Sequence, residues 1–253
     1  MEPTEHGECL LRHARDILQR LGGVEEELLG ISEGRIARIS IGVLPSAAMV
    51  LVPNFIARLN DVTTGVSVTV REGTMGTLLP MLRAGDIDFV VGNLPERPLE
   101  PDFQTEQLYE DPIMLVARSG HPLANTPNLK WSMLSGYPMV IPTKDASTRA
   151  SIVDALAQNK LEVPQQHVES LSTLTNMGVL QFTDSVAFAT RLLARHFERL
   201  GVLSVLPLTV PNTALHVGLV WLSTRRMSKV HDVIRQMFRE TRDALLPPAA
   251  SRH

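Results

Sequence analysis

The segment over residues 39–92 constrains the fold most, because strand and helix patterns alternate along it. Three apolar strand patterns occur, and a run with the apolar spacing of an amphipathic helix follows each of the first two. The strand patterns cover residues 39–44, 66–70 and 87–91, and the helical runs cover residues 46–59 and 74–82. Strands that alternate with helices predict a parallel α/β sheet.

A hydroxyl residue opens each of these two helical runs. Ser46 follows the first strand after Pro45, and Thr74 follows the second strand after Gly73. In parallel α/β sheets, ligands bind at the carboxyl ends of the strands, where helix N-termini offer unpaired N–H groups. Ser46 and Thr74 are therefore candidate ligand-binding residues. Each could instead be a simple helix N-cap, which stabilises the helix by about 1 kcal/mol and needs no ligand.

The bulk composition excludes several classes of protein. The 253 residues carry a formal net charge of −3, so the chain has no basic field with which to bind nucleic acid through phosphates. The single cysteine, Cys9, excludes an intrachain disulfide and is typical of a reducing compartment. The sequence contains neither an apolar run of about eighteen residues nor a secretory signal, which predicts a cytoplasmic protein that does not enter a membrane.

Residues 8–31 show a different pattern from the rest of the chain. Apolar residues recur there at alternating steps of four and three, which is the heptad spacing of a helix that pairs with another helix. The seam consists of Leu10, Ala14, Ile17, Leu21, Val24, Leu28 and Ile31. We expect a linker and dimerisation helix over residues 1–34, so that the protein is a homo-oligomer. A helix packed on its own domain is the alternative, and Gly22 and Gly23 lower the helix propensity.

A second α/β unit is predicted after residue 111. Its strands are expected at residues 113–117, 139–141, 167–169, 186–189 and 203–206. Helices are expected at 148–161 and from Ser172 or Thr173 to Leu180. A further strand at 216–222 and a helix at 227–244 could return to the first unit. The prediction is therefore two lobes joined by two crossings, with residues 35–111 plus 213–247 in one and 112–212 in the other. A cleft between such lobes is the default ligand site.

Several motifs resemble LysR-type transcriptional regulators. Residues 4–8 and 13–15 resemble the end of the winged-helix domain and the start of the linker helix in that family. Residues 41–45 and 82–88 resemble parts of its effector-binding domain. The most specific match is Gly120-His121-Pro122-Leu123-Ala124. The resemblance covers nearly the whole chain. Within the family, residues 44–46 and 92–95 are similar to those of the branch that contains sugar-responsive and protocatechuate-pathway regulators.

This resemblance implies two Rossmann-like subdomains of the periplasmic-binding-protein type II kind, preceded by a long N-terminal helix. It implies a small-molecule effector, such as an organic acid, a sulfonate or a sugar, held between the subdomains, and a dimer or tetramer. The family's winged helix is absent upstream of Met1, so DNA contact is expected only through that missing part. The implied effector-binding residues are Ser46, Thr74, Leu94, Pro95, Thr143, Thr148, Arg149, Thr173 and Phe188.

Each of these residues also has a simpler structural interpretation. Thr148 and Thr173 could be helix N-caps, like Ser46 and Thr74. Arg149 could clamp an anionic effector or form a surface ion pair with Asp145 or Asp154. Phe188 could belong to the core.

No motif in the sequence indicates an enzyme or a metal site. The eight histidines lack metal-ligand spacing, and the sequence has no nucleophile elbow, P-loop or dinucleotide-binding glycine motif. We therefore expect no metal, no cofactor and no catalytic residues. A solute-binding protein of a transport system is the rival interpretation, because it would share the two lobes.

Overall fold

The structure is a computed structural model of the chain. It describes residues 4, 6, 7, 37–63, 65–146, 148–223 and 229–246. The predicted heptad helix over residues 8–31 lies outside these residues. None of the helices within the described ranges is long and apolar enough to span a lipid bilayer.

The described residues form one sheet of eight strands. The strands are β1 (Ala37–Val43), β2 (Val66–Glu72), β3 (Phe89–Asn93), β4 (Phe103–Arg118), β5 (Met139–Ile141), β6 (His167–Glu169), β7 (Val186–Thr190) and β8 (Leu203–Leu222). Their order across the sheet is β2-β1-β3-β8-β4-β7-β5-β6. The group β2-β1-β3 is parallel, and so is the group β7-β5-β6. We call these two groups, with the helices on them, the first lobe and the second lobe.

Seven α-helices lie within the described residues. They are α1 (Pro45–Ala48), α2 (Leu51–Val62), α3 (Met75–Ala84), α4 (Thr148–Gln158), α5 (Thr173–Phe182), α6 (Arg191–Arg199) and α7 (Lys229–Leu245). The single helix expected over residues 46–59 is divided into α1 and α2. Pro53 explains this break, because a proline ring clashes with the carbonyl four residues earlier and is tolerated only near a helix start.

The two long strands β4 and β8 join the lobes. They pair antiparallel from Phe103 opposite Leu222 to Arg118 opposite Leu203, and β8 also pairs with β3 while β4 pairs with β7. The separate strands expected at 203–206 and 216–222 are thus one strand. The prolines at 207 and 211 suggested a break between two strands. Both lie where the register of β8 against β4 shifts, so the missing proline N–H costs no hydrogen bond between the strands. The domain boundaries at 111/112 and 212/213 lie within these strands and stay a prediction.

Each lobe has its own apolar core. In the first lobe, α2 and α7 meet through Phe55 and Phe238, whose rings stack with centroids 3.9 Å apart. In the second lobe, Leu115 and Met139 of the sheet pack against Ile152 of α4. The cores approach each other at the start of α6, where Leu193 packs against apolar clusters of both lobes.

A polar cluster fixes α7 to β4. Glu106 accepts hydrogen bonds from Arg235, at 2.8 Å, and from Arg239, and the Arg235 guanidinium also lies over the Trp221 ring. Burial opposes the charge on Glu106, but the two arginines outweigh burial and hold the pKa of this carboxyl below its usual value. The C-terminal helix is therefore held to the sheet by charge as well as by the core.

The motif at residues 120–124 forms a turn centred on the buried side chain of His121. This side chain is 1% exposed, and its Nδ1 accepts a hydrogen bond from the Leu123 N–H at 3.0 Å. Its Nε2 lies 3.1 Å from the Asp184 carbonyl oxygen, so the neutral tautomer with a proton on Nε2 satisfies both contacts. His121 thus caps the short 3-10 helix Pro122–Asn125.

We expect the His121→Ala variant to lose about 1–3 kcal/mol of unfolding free energy, because it leaves the buried Leu123 N–H without its partner and removes the contact with the Asp184 carbonyl. Urea denaturation followed by circular dichroism measures this loss. His167 provides the control, because it is exposed and its contacts, with the Pro164 carbonyl and with Glu169 at 3.6 Å, lie near the surface. If His121→Ala and His167→Ala have equal stabilities, the proposed role of His121 is wrong.

Candidate functional site

A cavity of about 210 Å³ lies between the two lobes. The first lobe contributes Leu44, Pro45, Ser46, Gly73, Thr74, Met75, Gly76, Asn93 and Pro95. The second lobe and the long strands contribute Ile113, Pro142, Asp145, Ala146, Thr148, Ile152, Ser170, Leu171, Thr173, Asn176, Phe188, Ala189, Thr190, Leu193 and Leu215. The cavity is therefore walled by both lobes.

The cavity lies where the parallel strands end. Strand β1 ends at Val43, just before the lining residues 44–46, and β2 ends at Glu72, just before 73–76. In the second lobe, β5 and β6 end at Ile141 and Glu169, and lining residues follow both strands. This placement agrees with the rule that open α/β sheets bind ligands at the carboxyl ends of their strands.

Four helices of nine or more residues begin at the cavity wall. These are α3, α4, α5 and α6, whose first turns carry no Asp or Glu. The first N–H groups of a helix have no partner within it, and the helix dipole is positive at this end. Two of these N–H groups already have partners, since Thr175 donates to Ser172 Oγ and Leu192 donates to Asp111 Oδ1. First-turn N–H groups that have no partner are the ones that can donate to a ligand oxygen.

Ser46 lines the cavity, but it is not a helix N-cap. The N-cap of α1 is Leu44, so Ser46 is the second helical residue. Its Oγ donates to Asn93 Oδ1 and accepts from the Asn93 N–H, each at 3.3 Å. Ser46 thus links the end of β1 to the end of β3 at the wall.

Thr74 is the N-cap of α3 and also lines the cavity. Its backbone N–H donates to the Thr77 Oγ1 at 3.0 Å, and Thr77 is exposed outside the lining. Both interpretations of Thr74 therefore agree with the structure, because a capping residue can face a ligand as well.

The structure brings six of the nine predicted residues together at the wall: Ser46, Thr74, Pro95, Thr148, Thr173 and Phe188. Thr148 is the first residue of α4, and Thr173 is the first residue of α5. The N-cap of α5 is Ser172, whose Oγ accepts from the Thr175 N–H at 3.2 Å. Phe188 also packs against the core of the second lobe, so it serves both purposes.

The lining does not include Leu94, Thr143 or Arg149. Leu94 packs in the first lobe, and its N–H donates to the His216 carbonyl at 2.7 Å. Thr143 follows the lining residue Pro142, and its Oγ1 is buried without a hydrogen-bond partner in the described part of the chain.

The Arg149 side chain is held by its own lobe. It donates to the Pro142 carbonyl at 2.5 Å and forms an ion pair with Glu169 at 2.9 Å. The ion-pair interpretation of Arg149 agrees with the structure, but the partner is Glu169 rather than Asp145 or Asp154. Among the described lining residues, Asp145 is the only charged one.

Sequence reasoning missed five polar residues of the wall: Asn93, Asp145, Ser170, Asn176 and Thr190. Within the described residues, Asn176 Oδ1 and Thr190 Oγ1 are buried without a hydrogen-bond partner. The sequence carried a signal for Thr190, because it precedes an amphipathic run with Leu192, Leu193 and Phe197 on one face. Asn93 comes two residues after the buried strand pattern at 87–91, at the strand end where ligands bind.

Residues 32–243 match the family described as LysR substrate binding domain. The chain belongs to this family. The LysR chain is 25% identical over 237 residues to the regulator PcaQ of Agrobacterium fabrum. The aligned region covers 94% of this chain and 76% of PcaQ. It is 26% identical over 229 residues to GbpR of Azospirillum brasilense, covering 90% of this chain and 67% of GbpR. Both relatives are named HTH-type transcriptional regulators.

Solved structures of LysR regulatory domains share the fold. An OxyR mutant from Corynebacterium glutamicum superposes with a TM-score of 0.66 at 21% identity, over 96% of this chain and 75% of that one. The reduced OxyR regulatory domain from Pseudomonas aeruginosa gives a TM-score of 0.64 at 20% identity, over 81% and 96% of the two chains. The predicted periplasmic-binding-protein-like fold with two subdomains is confirmed, and so is the resemblance to LysR-type regulators.

The LysR chain is thus the effector-binding domain of a transcriptional regulator. The named relatives are regulators and not enzymes, and they give no support to the rival interpretation as a transport solute-binding protein.

Proposed function

We propose that the cavity between the lobes is the effector site and that a small organic metabolite occupies it. One observation supports this proposal most, namely that a single cavity takes its wall from both lobes, at the ends of β1, β2, β5 and β6. A ligand bound there contacts both lobes at once, so its binding energy depends on their relative position.

The size and lining of the cavity support a ligand about as large as one ring, or an open-chain molecule of similar size. The cavity of about 210 Å³ somewhat exceeds the roughly 150 Å³ of a protein cavity that binds benzene. Apolar side chains such as Ile113, Ile152 and Leu193 can cover a carbon skeleton, while hydroxyl groups and helix N-termini donate to oxygen atoms. Organic acids, sulfonates and sugars all combine these features.

The proposed mechanism is a shift between two arrangements of the lobes or of paired subunits. A ligand can bias such an equilibrium only by the difference between its affinities for the two arrangements. In this proposal the domain acts in the cytoplasm as part of a homo-oligomer, it catalyses no reaction, and DNA contact belongs to the winged helix of the regulator.

A thermal-shift screen of aromatic acids, sulfonates and sugars tests this proposal. A ligand that binds only the folded domain raises the melting temperature in a concentration-dependent way. Benzoate, benzenesulfonate and galactose represent the three classes. If no compound from any class shifts the melting temperature, the proposed effector site is wrong.

We expect the Thr74→Val variant to weaken binding of the compound found in that screen by about 1–3 kcal/mol, because a hydroxyl at the wall is lost. Isothermal titration calorimetry measures the change. The matched control is Thr77→Val, which removes the hydroxyl that accepts the Thr74 N–H but does not line the cavity. Equal affinities of both variants and the unmodified chain would exclude Thr74 from the site.

A further inference from the structure

A buried carboxylic acid lies in the middle of β4, where this strand passes from one lobe to the other. The side chain of Asp111 is 1% exposed, and its Oδ1 accepts a hydrogen bond from the Leu192 N–H at 3.0 Å. Its Oδ2 is buried and has no hydrogen-bond partner among the described residues. An ionised carboxylate with one unpaired oxygen is costly at such a place, whereas a protonated acid can donate a hydrogen bond from that oxygen.

Thr190 lies beside this acid and is one of the residues that line the cavity. It is the N-cap of α6, and an N-cap hydroxyl ordinarily accepts the N–H of the second or third helical residue. Here Asp111 accepts the N–H of Leu192, the second residue of α6, in place of the Thr190 hydroxyl. The two side chains therefore lie at the same helix end, which agrees with the pairing of Thr190 with Ile113, two residues after Asp111 on β4.

The Thr190 hydroxyl is left without a partner within the described structure. Thr190 is 8% exposed, its Oγ1 is buried and unpaired, and the residue lines the cavity. One hydroxyl carries one proton, so it can donate either to the Asp111 carboxylate or to a ligand oxygen. If Asp111 holds a proton of its own, Asp111 Oδ2 can donate to Thr190 Oγ1, and Thr190 can donate to the ligand.

We propose that Asp111 and Thr190 link ligand binding in the cavity to the uptake of one proton. Asp111 is a positioning residue in this proposal, because it acts on the ligand through Thr190. The inference rests on the proposed function, since it assumes that a ligand oxygen accepts a hydrogen bond at this part of the wall.

The surroundings of Asp111 favour its protonated form. Burial raises the pKa of this carboxyl above its ordinary value, and it outweighs four lowering effects: the Leu192 N–H, the neighbouring Thr190 hydroxyl, the charge on Arg191 and the Arg191 N–H. Tyr109, two residues earlier on β4, is also buried, and burial raises the pKa of its phenol. The other charged groups nearby are exposed: Glu110 on β4 and its partner His216 on β8, 3.7 Å apart.

The sign of the linkage follows from this direction. An acid with a raised pKa in the folded state stabilises the fold most at low pH, and this contribution disappears as the pH rises through its folded-state pKa. If ligand binding requires the protonated acid, the dissociation constant increases about tenfold per pH unit above that pKa.

Calorimetric titration with benzoate between about pH 5.5 and pH 8 tests the linkage, with benzamide as the uncharged isostere. In the unmodified chain, we expect the slope of the dissociation constant to approach about a tenfold increase per pH unit. Titrations in buffers of different ionisation enthalpy count the protons, and we expect one proton to be taken up on binding. A flat pH profile together with no proton uptake overturns the proposal even though benzoate binds.

Two substitutions separate a proton link from a merely structural role. In Asp111→Asn, the side-chain amide can donate permanently to Thr190, so we expect benzoate to bind with a dissociation constant that no longer varies with pH. In Thr190→Val, we expect weaker binding that is also independent of pH, and Thr190→Ser should restore the profile. Glu110→Gln, at the exposed neighbouring position, is the matched control and should keep it. If the profile of Asp111→Asn equals that of the unmodified chain, the proposal is wrong.

Thermal unfolding without ligand gives an independent measurement. We expect the melting temperature of the unmodified chain to fall relative to that of Asp111→Asn as the pH rises from about 4 to about 8. Parallel curves overturn the proposal.

Failure of the proposed function gives a different result. If benzoate, benzenesulfonate and galactose do not bind at any pH, the proposed function is contradicted. The ligand-free melting curves still decide whether Asp111 titrates as proposed. If Asp111→Asn does not fold, proton uptake by the unmodified chain decides the question.

Discussion

The Gly218→Ala variant is expected to lose at least about 3 kcal/mol of unfolding free energy, since the added methyl group meets fixed backbone. An ideal Cβ at this position would lie 2.2 Å from the Glu106 carbonyl oxygen and 2.9 Å from Leu94 Cδ1. Gly218 lies on β8, which is paired with β3 on one side and with β4 on the other, so the strand cannot move away. Urea denaturation measures the loss, and a variant that fails to fold agrees with it.

Gly178 provides the matched control for this glycine. It lies inside α5, and an ideal Cβ there has no atom within 4 Å apart from its own helix. The Gly178→Ala variant should gain about 0.5–1 kcal/mol, because alanine loses less conformational entropy in a helix. Equal stabilities of the two variants would show that the close approach of β8 to β4 is absent in solution.

The Phe238→Ala variant is expected to lose about 3–5 kcal/mol, which is the usual cost of removing a fully buried aromatic ring. Phe238 and Phe55 are both 0% exposed, and their rings stack within 3° of parallel. This pair joins α7 to α2, so its removal leaves a cavity between the C-terminal helix and the first lobe. Denaturant unfolding and a loss of near-ultraviolet circular dichroism measure the effect.

Val233 on the same helix controls for a general effect of substitution in α7. Its side chain is 53% exposed, so Val233→Ala should change the unfolding free energy by no more than about 0.5 kcal/mol. A loss below about 1 kcal/mol in Phe238→Ala would contradict the packing of α7 against α2.

The parts of the fold that depend on local sequence could be predicted well. Strand β5 was expected at residues 139–141, where it lies, because a short apolar run is bounded there by Pro138 and Pro142. Ser46 and Thr74 were expected at the ends of strands for the same reason, since a strand-to-helix junction is visible in a few neighbouring residues. Both residues line the cavity.

The parts that depend on distant pairing could not be predicted. The continuity of β8 through Pro207 and Pro211 depends on its register against β4, which no local pattern reveals. The ion pair of Arg149 with Glu169 joins α4 to β6, and the contact of Asp111 with Leu192 spans 81 residues. The convergence of six predicted residues on one cavity likewise required the three-dimensional arrangement.

The continuous pairing of β4 with β8 determines how the two lobes can move. The connection between them is a two-stranded ribbon whose chains are hydrogen-bonded to each other, interrupted by register shifts near Tyr109 and Pro112. Such a ribbon resists stretching but can twist and flex at its irregular points. If a metabolite binds between the lobes as proposed, we therefore expect it to twist this ribbon. The result would be a small rotation of one lobe relative to the other, without a wide separation of the two.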